Sequence, residues 1–295
     1  MAGIETCVPL QTASPPVVLS YLQAQPLLDA REQGRASATV SSDLGLRSVE
    51  ATLDDAGARF PCGSLVSWED LRRVVRDEPT CFELTGEGAR KIHRFSELLN
   101  RQYTLIATRG APTLVNSGFT MHRIVDVDPR EDTLRKIRAF GVVQGQVLDT
   151  ATGLGYTAIE AARAASRVVT VEIDPLVLEV AALNPWSRAL FGNPRIEQRI
   201  GDSFEVVAAL GYEQFDGIVH DPPTVALAGD LYGGQFYRQL HRVLRRGGVL
   251  FHYVGNLGSK QGGSVAKGVV RRLQEAGFSA ITPRPEAFGI LARRA

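Results

Sequence analysis

The sequence predicts a doubly wound α/β fold for residues 129–295, a Rossmann-like seven-stranded sheet, preceded by a small α+β unit over residues 1–128. Three observations predict it. Beyond Pro129, short apolar runs alternate with amphipathic stretches at the spacing of strand–helix units, which implies parallel strands, right-handed crossovers and helices on both faces. The first of these runs ends in Asp149, and Gly153 and Gly155 follow before a helical stretch. The chain of 295 residues is 44% hydrophobic and 22% charged, a globular composition.

Taken in order, residues 11–30 are rich in Pro, Gln and Ala and are expected to form a loosely packed N-terminal segment. Residues 36–60 read as short strands broken at Asp43–Gly45 and Asp54–Gly57. Ser67, ahead of Glu69 and Asp70, starts a helix that runs to Arg76. Cys81–Leu84 and Tyr103–Ala107 read as strands, and Glu87–Asn100 as a helix. In the second half, an amphipathic lead-in helix at Asp132–Phe140 is closed by Gly141. Strands are expected at 146–151, 167–173, 195–201, 215–220 and 247–254, with a last pair inside 278–293. Helices are expected between them at 156–165, 175–183, 203–210, 232–245 and 264–276. A ligand on such a sheet binds outside the C-terminal strand ends, where the strand order reverses.

Charge narrows the partners. Lys and Arg number 33 against 32 Asp and Glu, so no global basic field draws the chain to nucleic acid or lipid. Residues 1–128 carry 13 basic and 16 acidic side chains, and residues 129–295 carry 20 and 16. A first half built to grip RNA phosphates would be basic, and this one is not. No apolar run approaches the ~20 residues of a membrane-spanning helix, and no signal peptide is read at the start. Cys7, Cys62 and Cys81 form no metal-ligand pattern, so they read as reduced thiols of a cytoplasmic protein without a metal site. A homodimer is compatible with all of this.

The most informative stretch is V-L-D-T-A-T-G-L-G-Y-T-A at 147–158. Glycine belongs at 153 and 155 because the backbone turns sharply and a ligand must come closer than a Cβ allows. Glu172, followed by Ile173, lies about 20 residues downstream at the next strand's tip, where a carboxylate can take both ribose hydroxyls. Asp174–Pro175 reads as a helix N-cap with proline at the first helical position. Asp202, before Ser203, either accepts from an adenine amine or caps the next helix. His220-Asp221-Pro222-Pro223 closes the fourth strand, and two prolines force the chain out of the sheet. That exit holds Asp221 beside the nucleotide's reactive end.

These motifs resemble the class I S-adenosylmethionine-dependent methyltransferases. M-H-R-I at 121–124, L-D-T-A-T-G-L-G-Y-T-A, V-E-I-D-P, H-D-P-P, L-Y-G-G-Q-F-Y and L-F-H-Y-V-G are together similar to a predicted methyltransferase family of archaeal type. The resemblance implies S-adenosyl-L-methionine as cofactor, with Asp149, Ala151, Thr152, Gly153, Gly155, Glu172, Ile173, Asp202, Ser203 and Asp221 around it. Ala151 stands where many members have the first glycine of the loop. It also implies methyl transfer to an unidentified acceptor, an amine or amide nitrogen that Asp221 orients or deprotonates. The Asp-Pro-Pro is similar to the motif of amino-group methyltransferases, but Thr224 replaces the usual stacking aromatic, which argues against a planar nucleobase. Residues 201–248 also resemble spermidine synthases, which implies aminopropyl transfer from decarboxylated S-adenosylmethionine as the alternative. Those enzymes carry an acid where this chain has Leu154.

A cofactor-binding protein without chemistry is a third reading. An NAD-dependent dehydrogenase is disfavoured by D-x-A-x-G-x-G in place of G-x-G-x-x-G. His122 and Tyr232 are further catalytic candidates, His122 as proton relay and Tyr232 from the start of its helix. His122 with Arg123 can equally be structural, and Tyr232 with Phe236 can simply be core. His252 and Tyr253 alternate on the fifth strand, so one of them can face the site. Gly255–Gly263 reads as a flexible loop, with Lys260 solvated in it.

Overall fold

Apolar side chains alternate between the two faces of the strands in the second half of the chain, and that alternation builds the fold. The computed structural model describes residues 16–295. One seven-stranded sheet contains β1 (Gln146–Asp149), β2 (Arg167–Glu172), β3 (Ile196–Ile200), β4 (Phe215–His220), β5 (Leu244–Tyr253), β6 (Phe278–Arg284) and β7 (Gly289–Arg294). Its order is β3-β2-β1-β4-β5-β7-β6. The first five strands run parallel, and β7 is antiparallel to both β5 and β6. Val147, Val168, Val219 and Phe251 serve a core on one face. Leu148, Val169, Ile218 and Leu250 serve a core on the other. Central strands buried on both faces have this near-continuous apolar character.

The helices divide accordingly. On the first face lie α1 (Pro129–Phe140), α2 (Tyr156–Ala161) and α3 (Pro175–Leu183). On the second lie α4 (Ser203–Ala209), α5 (Gly234–Val243) and α6 (Lys260–Glu275). Capping follows the expected chemistry: Asp128, Asp174 and Asp202 accept backbone N–H bonds at the starts of α1, α3 and α4. Strand order reverses between β1 and β4, which opens a crevice at their C-terminal ends.

The first half is antiparallel. Strands Ser37–Ser41, Ser48–Leu53, Gly57–Arg59 and Leu65–Ser67 form one sheet, and Val17–Leu19, Phe82–Thr85 and Gly88–Lys91 another. With helices Tyr21–Glu32 and Trp68–Arg76 they bury a core of their own, including Leu19, Leu27, Trp68, Leu71 and Phe82. A third sheet contains His93–Ser96, Arg101–Ile106, Thr113–Asn116 and Phe119–Thr120. Its Tyr103, Leu105 and Leu114 join the core on the first face of the large sheet. This third sheet roofs the crevice.

Three expectations are corrected. Glu87–Asn100 is not helical: Gly88–Lys91 folds back on Phe82–Thr85 and His93–Ser96 pairs with Arg101–Ile106. The reason is the turn T-G-E-G, in which Gly88 has φ +108°, a conformation that ends a helix and suits a hairpin. The N-terminal segment is tightly packed from Val17 on. Ser20 forms a capping box with Gln23, and Ala24, Leu27 and Ala30 are fully buried. Residues 11–15 and Cys7 lie outside the described residues. Gly255–Gly263 is not all loop, because Ser259 caps α6 by accepting from the Gly262 N–H and Lys260 is its first residue.

Gly217 sets the distance between α1 and β4. A Cβ there would lie 2.5 Å from Phe140 Cζ and 3.0 Å from Val143 Cγ2. Gly217→Ala is therefore expected to lower unfolding free energy by about 1–3 kcal/mol, as overpacking does. Urea denaturation with an unchanged slope checks it; an unchanged midpoint refutes it.

Candidate functional site

The tips of β1 to β4 and the roof sheet enclose a cavity of about 270 Å³. From below it is lined by Thr150–Gly153, Glu172, Ile173, Asp202, Ser203 and Asp221. From above come Arg101, Tyr103, Asn116, Met121 and His122, and the segment Leu227–Leu231 closes one side. This is the crevice that topology predicts.

Glu172 ties the glycine loop to the tip of β2. Its Oε2 accepts from the Gly153 N–H at 2.9 Å and its Oε1 from the Asp174 N–H at 3.2 Å. Burial pushes its carboxyl up to about 7, against the pull of those backbone donors. Each oxygen keeps acceptor capacity for a hydroxyl. Gly153 has φ +52°, and nothing lies within 4 Å of where its Cβ would stand. The loop is thus an open cradle at Gly153, as close approach by a ligand requires. Asp202 caps α4 through the Phe204 N–H at 2.8 Å, as one of its two readings expects, and it also lines the cavity. The Ser203 hydroxyl donates to the Thr150 carbonyl at 2.6 Å and clamps β1 to α4.

Two of the expected ligand contacts serve as braces. Asp149 is fully buried below the cavity, with Oδ2 accepting from Thr157 and Thr170 at 3.0 and 3.1 Å. Burial lifts its carboxyl to about 7. Gly155 does not line the cavity; its φ is +76°, and a Cβ would lie 2.6 Å from Leu190 Cδ2. Glycine is needed there for packing.

Asp221 occupies the cavity wall above β4, where Pro222 and Pro223 turn the chain away. One of its oxygens is taken: Oδ2 accepts from Lys136 Nζ at 2.6 Å. Lys136, on α1, also pairs with Asp132 at 2.9 Å and stands 4.3 Å above the Tyr253 ring, with 2% of its side chain exposed. Burial works against the lysine charge, but Asp221 and Asp132 outweigh it and hold its pKa above the ordinary value. Burial likewise raises the pKa of Asp221, and the ammonium opposes that rise. Arg123 completes the network, 3.2 Å from Asp132 and stacked on Phe288 at 3.6 Å, which makes it structural.

His122 lines the cavity and bonds through Nδ1 to Thr113 Oγ1 at 2.9 Å. Burial and the nearby Lys136 push its pKa down to about 3, so the ring is neutral. Tyr232 does not reach the cavity. It is buried beneath the 221–231 segment and its hydroxyl donates to the Pro223 carbonyl at 3.2 Å. The helix expected from residue 232 starts at Gly234, which leaves Tyr232 on a short 3-10 turn facing the core. His252 is likewise internal, accepting from the Tyr237 hydroxyl at 3.0 Å, while Tyr253 faces Lys136.

Sequence reasoning missed Lys136, Arg101 and Asn116. Lys136 gave one local signal, an i,i+4 partner in Asp132 on an amphipathic helix. Its partner Asp221 is 85 residues away, which no periodicity reveals. Among the described residues, no group of three or more His, Cys, Asp or Glu that could hold a metal is gathered. Among those residues, no helix is long and apolar enough to cross a membrane.

Comparison with known proteins adds to this geometry. Residues 133–262 match the spermine/spermidine synthase domain. A polyamine aminopropyltransferase of Aeropyrum pernix is 35% identical over 92 residues, 30% of this chain and 29% of that protein. Putrescine N-methyltransferase 2 of Nicotiana attenuata is 33% identical over 109 residues, 36% of this chain and 29% of that protein. Each of these two alignments spans under a third of the relative. A spermidine synthase solved with the transition-state analogue AdoDATO superposes with a TM-score of 0.57 at 20% identity, over 69% of this chain and 73% of that one. That likeness is one of fold. The uncharacterized protein MJ1233 of Methanocaldococcus jannaschii is 42% identical over 237 residues, 80% of each chain. On that extent of identity, the chain belongs to the family of MJ1233.

Proposed function

We propose that the protein is an S-adenosylmethionine-dependent methyltransferase acting on an amine or amide nitrogen. The observation that carries this reading is the pairing of Glu172 and Asp221 across one cavity, with the open cradle at Gly153 beside Glu172. When bound, S-adenosylmethionine supplies an electrophilic methyl group. Glu172 holds the ribose hydroxyls, and Asp202 with Ile173 borders the adenine. Asp221 turns its remaining oxygen to the acceptor, aligns the nitrogen lone pair and takes up the proton that the nitrogen sheds. Lys136 is a positioning residue: it fixes the rotamer of Asp221 and keeps the carboxylate charged. His122, neutral, borders the acceptor from the roof.

Aminopropyl transfer is the second reading, and the match to the spermine/spermidine synthase domain favours it. Against it, Leu154 is fully buried in the apolar core and offers no acid to the cavity. The by-products separate the two. Methyl transfer leaves S-adenosylhomocysteine, whereas aminopropyl transfer leaves methylthioadenosine. Incubation with either donor and a fractionated cell extract is expected to yield S-adenosylhomocysteine from S-adenosylmethionine. Methylthioadenosine from the decarboxylated donor alone refutes methyl transfer.

Asp221→Asn preserves shape and removes charge. Cofactor affinity is expected to stay within about threefold while single-turnover rate falls about 10²–10⁴-fold; near-equal rates would make Asp221 structural. Glu172→Ala is expected to weaken S-adenosylhomocysteine binding by about 10- to 150-fold, the worth of charge-assisted hydrogen bonds of ~1.5–3 kcal/mol.

Glu172 also predicts a pH dependence. Its folded pKa, about 7, lies above the unfolded value, so its proton stabilises the unliganded fold at low pH and that contribution is lost as pH rises through 7. Binding that needs the carboxylate has the opposite sign and strengthens from pH 6 to pH 8. Titration calorimetry should show that rise in the wild type and a flatter profile in Glu172→Gln; identical profiles refute the assignment.

A further inference from the structure

The roof of the cavity carries two polar groups whose hydrogen-bonding capacity the protein leaves largely unused. Arg101 and Tyr103 are two residues apart on one strand, so they share a face, and Asn116 is the direct cross-strand partner of Tyr103. All three line the cavity. Asn116 is 4% exposed, and its Oδ1 is buried without a hydrogen-bond partner among the described residues. A buried amide oxygen in that state is costly unless a ligand donates to it. Arg101 donates one bond, from Nη2 to the Leu227 carbonyl at 3.1 Å, which holds the guanidinium over the cavity. A guanidinium has five N–H donors, and no carboxylate pairs with this one among the described residues.

Charge then selects the ligand group. The lining includes four carboxylates, on Glu172, Asp202, Asp221 and Asp230, and among the described residues Arg101 is its one permanently cationic side chain. An anionic group in this cavity is repelled elsewhere and finds its counter-charge at Arg101. Beside it, the Asn116 oxygen asks for a donor. An anion and a donor a few ångströms apart are what an α-amino-acid group presents.

We propose that Arg101 and Asn116 form a clamp for the α-amino-acid end of S-adenosylmethionine, the guanidinium taking the carboxylate and the Asn116 oxygen the ammonium. The clamp rests on the methyltransferase reading above and deepens it, because it makes the protein discriminate between donors. Decarboxylated S-adenosylmethionine keeps the ammonium but leaves Arg101 unmatched. Methylthioadenosine has neither group and reports on the nucleoside part of the cavity alone.

The test is calorimetric affinity of wild type, Arg101→Gln and Asn116→Leu for these three ligands. In wild type, S-adenosylmethionine should bind more tightly than the decarboxylated form. Arg101→Gln should weaken S-adenosylmethionine by about 10- to 150-fold and leave the other two within about threefold. Asn116→Leu should weaken both ammonium-bearing ligands and spare methylthioadenosine, whose retained affinity certifies the fold of each variant. A fall of all three ligands together in Arg101→Gln overturns the clamp, as does S-adenosylmethionine affinity that does not fall. Arg101→Lys, which keeps the charge, should recover part of the loss; no recovery beyond Arg101→Gln counts against it. A wild type that binds methylthioadenosine and S-adenosylmethionine equally refutes the clamp and spares the nucleoside site. A wild type that binds none of the three refutes the cofactor reading itself.

Discussion

The buried ammonium of Lys136 constrains everything around it. Taking an ion that far from water costs several kcal/mol, and the cost is met only when counter-charges stand in good geometry. Here they come from two directions, Asp132 one turn back on α1 and Asp221 at the tip of β4. The pair can close only if α1 is seated on the sheet, which is what Phe140 against Gly217 achieves. It also needs Asp221 to leave the strand at one angle, which Pro222 and Pro223 impose. Helix, strand end and proline exit are therefore one unit. Removing either carboxylate would leave the ammonium with a single counter-charge, and removing both would leave a buried charge uncompensated.

The role proposed for Asp221 rests on the same pair. A carboxylate in a wall of low polarity drifts toward its protonated form, and then it can neither align a nitrogen nor accept its proton. The ammonium counters that drift, while the burial it only partly offsets keeps the group more basic than a surface aspartate. The pair also lowers the net negative charge at that end of the cavity.

How much of this the residues announce depends on the range of the interaction. The glycine cradle, the Glu172 tip and the helix caps at Asp174 and Asp202 are local grammar: a strand, a turn residue and a cap within a few positions. They are readable because the backbone geometry that needs them is itself local. The parallel course of β1 to β5 is accessible for a similar reason, through the strand–helix alternation. The T-G-E-G hairpin escaped because charged residues on both sides of the turn imitate a helix surface. Tyr232 was misplaced by the start of α5, two residues later than periodicity implies. Lys136, Arg101 and Asn116 escaped because their meaning lies in partners across the cavity, where separation in sequence carries no pattern. Asp149 and Gly155 sit inside the recognisable motif and still do not face the ligand space. A motif reports that a loop has a given shape, and the shape needs braces as well as contacts.

The layer beneath the site explains why the 221–231 segment can be a wall. His220 and His252 are fully buried with ring centroids 4.3 Å apart. Burial keeps each ring neutral, so with its one N–H given to a carbonyl each accepts at the other nitrogen. His220 Nε2 donates to the Leu231 carbonyl at 2.9 Å while its Nδ1 accepts from the Thr150 hydroxyl at 2.7 Å. His252 Nδ1 donates to the His220 carbonyl at 3.2 Å while its Nε2 accepts from Tyr237. The partners thus select one tautomer of each ring. Burial pushes the pKa of His220 down to about 3 and that of His252 well below its usual value, so neither gains a proton near neutral pH. The result is a hydrogen-bonded path from the tip of β1, through His220, to the segment that closes the cavity. Arg101 grips the same segment from above at Leu227. The segment that closes the cavity is thus tied at Leu231 from the layer beneath and at Leu227 from the roof.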